Sequence, residues 1–183
     1  MNAAMYLIGA LAVVAVLFFV LRRPVREYVR MRGDRVVTCP ENEQIVAVQV
    51  DAGYAARTAV AGRERLRLES CTRWPEKAGC GQECLRQIED QPEDCLVKTQ
   101  VTRWYAGKAC ALCGRALGQL EWAEHKPALM NPDGVTVMWS DVKPETIYEV
   151  FDSHAPICWD CHIAETFRRT RPDLVIDNPH ASG

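Results

Sequence analysis

Four cysteines set in two Cys-x-x-Cys pairs, Cys110/Cys113 and Cys158/Cys161, are the residues of this chain best suited to chemistry. Two paired thiolates from each knuckle supply the four soft ligands of a tetrahedral metal ion, and zinc is the ion such a set suits best. With every coordination position filled by protein, the site is structural and has no open position for hydrolytic chemistry.

Five further cysteines, Cys39, Cys71, Cys80, Cys84 and Cys95, precede these pairs. Cys80 and Cys84 stand at i and i+4, one side of a helix. The preferred second quartet is Cys39, Cys71, Cys80 and Cys84, with Cys95 spare. Exchanging Cys39 for Cys95 gives a tighter alternative set. Either quartet suits a second zinc ion or an iron–sulfur cluster. The common iron–sulfur spacings, Cys-x2-Cys-x2-Cys and Cys-x4-Cys-x2-Cys, are absent. A plainer reading makes several of the five small buried hydrophobes. Nine cysteines are an odd number, which argues against a complete intramolecular disulfide framework.

A rival lies within Cys158-Trp159-Asp160-Cys161-His162, which also matches the attachment signature of c-type haem. In that reading Cys158 and Cys161 form thioethers, His162 is the proximal ligand, and Met130, Met138 or another His is the sixth. It leaves Cys110/Cys113 unexplained. A third reading uses one Cys-x-x-Cys as a reactive redox pair.

These sites must be positioned beside an anchor. The 19 residues from Ala3 to Leu21 carry no charge. As a helix they extend about 28 Å, just enough for a hydrocarbon core of about 30 Å. Met1–Met5 lack Lys and Arg, and the run ends in Arg22-Arg23-Pro24, so a retained anchor fits better than a cleaved signal. Residues 22–35 hold six arginines against two acidic residues, in a chain whose net charge is −2. The positive-inside rule then sets the N-terminus outside and the main body in the cytoplasm. Membrane lipids are the expected partner of residues 3–32, with Arg26, Arg30 and Arg32 either meeting anionic head groups or only stopping insertion. The rest of the chain is acidic, so a protein partner is expected and a nucleic-acid groove is not.

The fold class expected is α+β: a transmembrane helix followed by small metal-stabilised modules. The divisions are 1–35, an anchor with its basic flank; 36–98, a first Cys-rich module; 99–172, a second; and 173–183, a loose tail. In the first module, strands are predicted at 35–38, 45–50 and 66–69, with helices at 54–61 and 81–89. Pro92 stops the second helix. Val97–Tyr105 reads as a strand or extended segment. In the second module, strands are predicted at Gly118–Trp122 and Val135–Trp139 around the turn Asn131–Gly134, and helices at 145–151 and 161–169. The tryptophans are expected in small cores around the metals. His125 is read as a surface or packing residue, and no catalytic motif is present.

The order of knuckle (Cys110-Ala111-Leu112-Cys113-Gly114), hairpin, and helix carrying Cys158 and Cys161 resembles a treble-clef zinc finger over residues 107–171. The resemblance implies a fold and a zinc ion and leaves activity open. The 44 residues between Cys113 and Cys158 exceed the compact form and require an inserted short helix near Glu145.

Overall fold

The structure is a computed structural model describing residues 2–60, 62, 65–74, 76–77, 79–120, 122 and 127–174. It divides into two compact units, Met1–Thr99 and Gln100–Gly183.

In the first unit, helix α1 (Asn2–Met31) carries the apolar run. Its stretch Tyr6–Met31, 26 residues containing an 18-residue window of mean hydropathy 2.0, is long and apolar enough to cross a membrane. Leu7, Leu11, Phe18 and Phe19 are all exposed on it. Pro24 does not end the helix, which continues to Met31. The chain then turns at Gly33, whose φ of +103° suits glycine and whose added Cβ would meet Leu96 at 3.2 Å.

Strands β1 (Asp34–Thr38), β2 (Ile45–Val50) and β3 (Leu68–Cys71) form an antiparallel sheet in the order β1-β2-β3. Val36 pairs with Ala47 and Val37 with Val46, and the β2–β3 register shifts at Gln49/Val50. Helix α2 (Ala52–Val60) begins two residues before the expected start and packs on α1 through a face that buries Ala55 and Ala56. Asp51 caps it, its carboxylate accepting the Tyr54 N–H at 2.7 Å. Helix α3 (Leu85–Asp90) closes the unit. Its Ile88 shares one core with Met31, Val37, Val46, Val48, Val50, Ala55, Leu68 and Cys84. The last turn of α1 is thus part of the domain core.

Three sequence expectations fail locally. The helix expected over 81–89 begins only at Leu85, so Cys80 and Cys84 do not share a helical face. Val97–Tyr105 is helix α4 and not a strand. Its β-branched residues favour extended chain, but Val101 and Tyr105, four residues apart, bury as one helical face. Gly118–Leu120 forms no strand, and Trp122 lies in a turn. Gly118 sits at φ +57°, which breaks an extended run. The pairing found there is a single bridge between Ala109 and Ala116.

The second unit has a sheet ordered β5-β4-β6, from β4 (Ala128–Met130), β5 (Thr136–Met138) and β6 (Ala155–Ile157). Asn131–Gly134 turns the β4–β5 hairpin, with the Val135 N–H donated to Asn131 Oδ1 at 2.8 Å. A 3-10 turn at Pro144–Thr146 leads into α5 (Ile147–Ser153), the inserted helix the long spacer required. Helix α6 (Trp159–Thr170) follows β6. Trp104 stacks on Phe151 and meets Tyr105 and Trp139 edge-on. The buried Tyr105 hydroxyl donates to the Ala128 carbonyl and accepts from Trp139 Nε1 at 3.1 Å. That bond ties the aromatic cluster to β4.

Candidate metal centre

Cys110, Cys113, Cys158 and Cys161 come together in the second unit, their sulfurs all within 4.8 Å of one another. Cys113 Sγ and Cys158 Sγ lie 3.8 Å apart. Zinc–sulfur bonds of about 2.3 Å in a tetrahedron separate sulfurs by about 3.8 Å, so the donor set fits such an ion.

The local fold explains the convergence. The Gly114 N–H donates to the Cys110 carbonyl at 2.9 Å, and Gly114 takes φ +71°, closing a tight knuckle. The knuckle is tied to β6 by a bond from the Ala111 N–H to the Pro156 carbonyl at 2.9 Å. One residue after β6, Cys158 adopts extended backbone as the residue preceding α6, and Cys161 follows in the first turn. The sheet edge thereby brings the two pairs together across 44 intervening residues.

Electrostatics favour a thiolate at one corner. Burial pushes the Cys110 thiol up, but N–H donors from Cys158, Cys113 and Leu112 outweigh it and bring it to about 6 from an ordinary 9.0. Cys161 moves the other way, raised by burial and by the neighbouring sulfurs of Cys158, Cys113 and Cys110. One negative charge in the metal-free cluster disfavours the next, which a cation relieves.

Arg115 and Asp160 complete the surroundings, joined at 2.6 Å, with the guanidinium in electrostatic reach of Cys113 and Cys158. Both were missed in the sequence, although Arg115 directly follows the knuckle glycine and Asp160 lies inside the second Cys-x-x-Cys. His162 is buried, with Nδ1 3.0 Å from Thr136 Oγ1, and burial lowers its basicity. A cleft of about 330 Å3 adjoins the centre, lined by Arg115, Leu117, Leu120, Ile157, Trp159 and Asp160.

The five N-terminal cysteines all lie in the first unit, where Cys84 is part of the core and Cys39, Cys71 and Cys95 pack against it. Among the described residues, the C-terminal quartet is the one group of ligating side chains drawn within 4.8 Å. His125 falls outside the described residues, as does the expected loose tail beyond Leu174. Comparison with protein-family models, with curated proteins and with solved structures found no match.

Proposed function

We propose that this chain is a single-pass membrane protein whose C-terminal unit is a zinc-stabilised, non-enzymatic interaction or assembly module. The observation that carries this reading is the mutual approach of four cysteine sulfurs within 4.8 Å. Four protein thiolates fill a tetrahedral ion and leave no position for substrate, which favours a structural over a catalytic metal. The succession of knuckle, β4–β5 hairpin, and α6 with Cys158 and Cys161 at its start supports the treble-clef resemblance.

The arginines that follow Leu21 support a cytoplasmic location for both units, with the N-terminus outside. A partner protein would meet the acidic surface of these units or the cleft beside Arg115 and Trp159.

Electron transfer through c-type haem is the competing reading. Two observations favour zinc: Cys158 and Cys161 share one cluster with Cys110 and Cys113, and the His162 ring is buried against Thr136. The test is metal analysis with an absorption spectrum and a haem stain on the full-length protein, purified reduced in detergent. Zinc without visible colour is the expected result. Stoichiometric iron, or a positive haem stain, would sink the zinc reading.

A further inference from the structure

We propose that Cys39, Cys71, Cys80 and Cys84 form a second four-thiolate zinc site in the first unit, and that Cys95 is not one of its ligands. Cys39 stands just beyond the end of β1. The backbone N–H groups of Glu41 and Asn42, two and three residues ahead, lie near its sulfur. The N–H groups of Leu112 and Cys113 lie near the Cys110 sulfur at the same two offsets. The turn is fixed by Cys39 N–H to the Gln44 carbonyl and Glu43 N–H to the Cys39 carbonyl, both at 2.8 Å, with Glu43 at φ +57°. The turn closes the β1–β2 hairpin and holds Cys39 at its start.

A second likeness lies in the countercharge. Arg73 Nη1 lies 2.9 Å from Cys39 Sγ and 3.0 Å from Glu41 Oε2. At the C-terminal centre Arg115 likewise bonds a carboxylate, that of Asp160, and lies in electrostatic reach of Cys113 and Cys158. An arginine beside a thiol offsets the surplus negative charge that four thiolates leave on a divalent ion.

The remaining ligands meet at Cys84. This residue is buried in the core immediately before α3, and Cys39 and Cys71 pack against the same core. Cys71, Cys80 and Cys39 all lie in electrostatic reach of the Cys84 sulfur. Four separate pieces of chain therefore converge: the β1 turn, the end of β3, the loop at Cys80 and the start of α3. Cys95 has different neighbours. It lies beside Arg35 and Asp94, and its thiol donates to the Gln87 carbonyl at 3.7 Å.

The four N-terminal sulfurs stand less close than the C-terminal four. An ion would draw them to about 3.8 Å.

The test counts zinc on the reduced full-length protein in detergent, by elemental analysis and by release with a thiol-blocking mercurial. The wild type is expected to hold two ions per chain. Cys80→Ser, in a loop outside the core, should hold one, as should Cys84→Ser, while Cys95→Ser keeps two. The double variant Cys110→Ser/Cys113→Ser should keep one. One zinc in the wild type and none in that double variant overturns the second site while leaving the first intact. One in both overturns the first and leaves the second. Loss of an ion in Cys95→Ser, or two retained in Cys80→Ser, overturns the ligand assignment. Iron with acid-labile sulfide in the first unit overturns its zinc character.

Discussion

The backbone N–H of Cys158 points at the sulfur of Cys110, 3.3 Å away, so the first residue of the second pair helps to hold the first residue of the other. The link crosses 47 intervening residues. Charge on the Cys110 sulfur strengthens such a bond.

That relationship makes Cys110 the ligand whose loss should cost most. Cys110→Ser is expected to lower zinc affinity by more than about 100-fold, because binding energy of about 10–16 kcal/mol in such sites is also folding energy. Competition against a chromogenic chelator measures the affinity. Near-ultraviolet circular dichroism of the Trp104–Trp139–Phe151 cluster follows the folding. Unchanged affinity with an unchanged aromatic signal contradicts the metal assignment.

The metal-free chain should carry a distinctive acid transition. Burial opposes charge on Cys110, yet the amide donors bring its folded value down to about 6 from 9.0. A depressed acid stabilises the fold fully above the unfolded value, near 9, and that contribution is lost as pH falls through about 6. Cys161, raised in the fold, acts oppositely and costs stability as pH rises past the ordinary thiol range. Thiolate absorbance near 240 nm in the metal-free protein should lose one group with a midpoint near 6, absent in Cys110→Ser. Denaturant titrations at pH 5.5 and pH 8 should show the higher stability at pH 8.

Arg115 is expected to matter modestly. Its bond to Asp160 is exposed on both sides, so screening limits it, yet the guanidinium also faces Cys113 and Cys158. Arg115→Gln should weaken zinc binding by about 2- to 5-fold at low salt and by less at high salt. A loss that is equal at both salt concentrations would point to misfolding in place of lost countercharge.

How far these features were legible depends on how local their causes are. Cys-x-x-Cys spacing is local, so all four cysteines of the C-terminal cluster could be named from the chain. The turn Asn131–Gly134 announced the hairpin for the same reason. Strands β4 and β6, three residues each, are too short to show a period and are held by pairing with each other. In α4 the β-branched composition pointed to a strand, and only the burial of Val101 with Tyr105 shows why a helix wins. Arg35 was counted with the basic flank, but it is fully buried. Its place at the head of the expected strand 35–38 separated it from Arg32 but did not show its burial.

Arg35 supplies the last prediction. Its guanidinium donates to the carbonyls of Met31 at 2.7 Å and Gly33 at 3.2 Å, and also to that of Arg30, closing the C-terminal end of α1. Positive charge there complements the helix dipole and satisfies carbonyls that would otherwise be buried without donors. Arg35→Ala is expected to cost about 3 kcal/mol or more, since it orphans several buried acceptors at once. Arg35→Lys keeps the charge but not the fork, and should fall between the two. The same reasoning holds for truncation. A chain begun at Val36 lacks both Arg35 and the buried Met31, so it should unfold more readily than one begun at Val25. Limited proteolysis of the purified full-length variants in detergent, and of the two truncated chains, measures each case. Equal protease resistance of the chains begun at Val25 and Val36 would mean that α1 anchors the first unit without contributing to its stability.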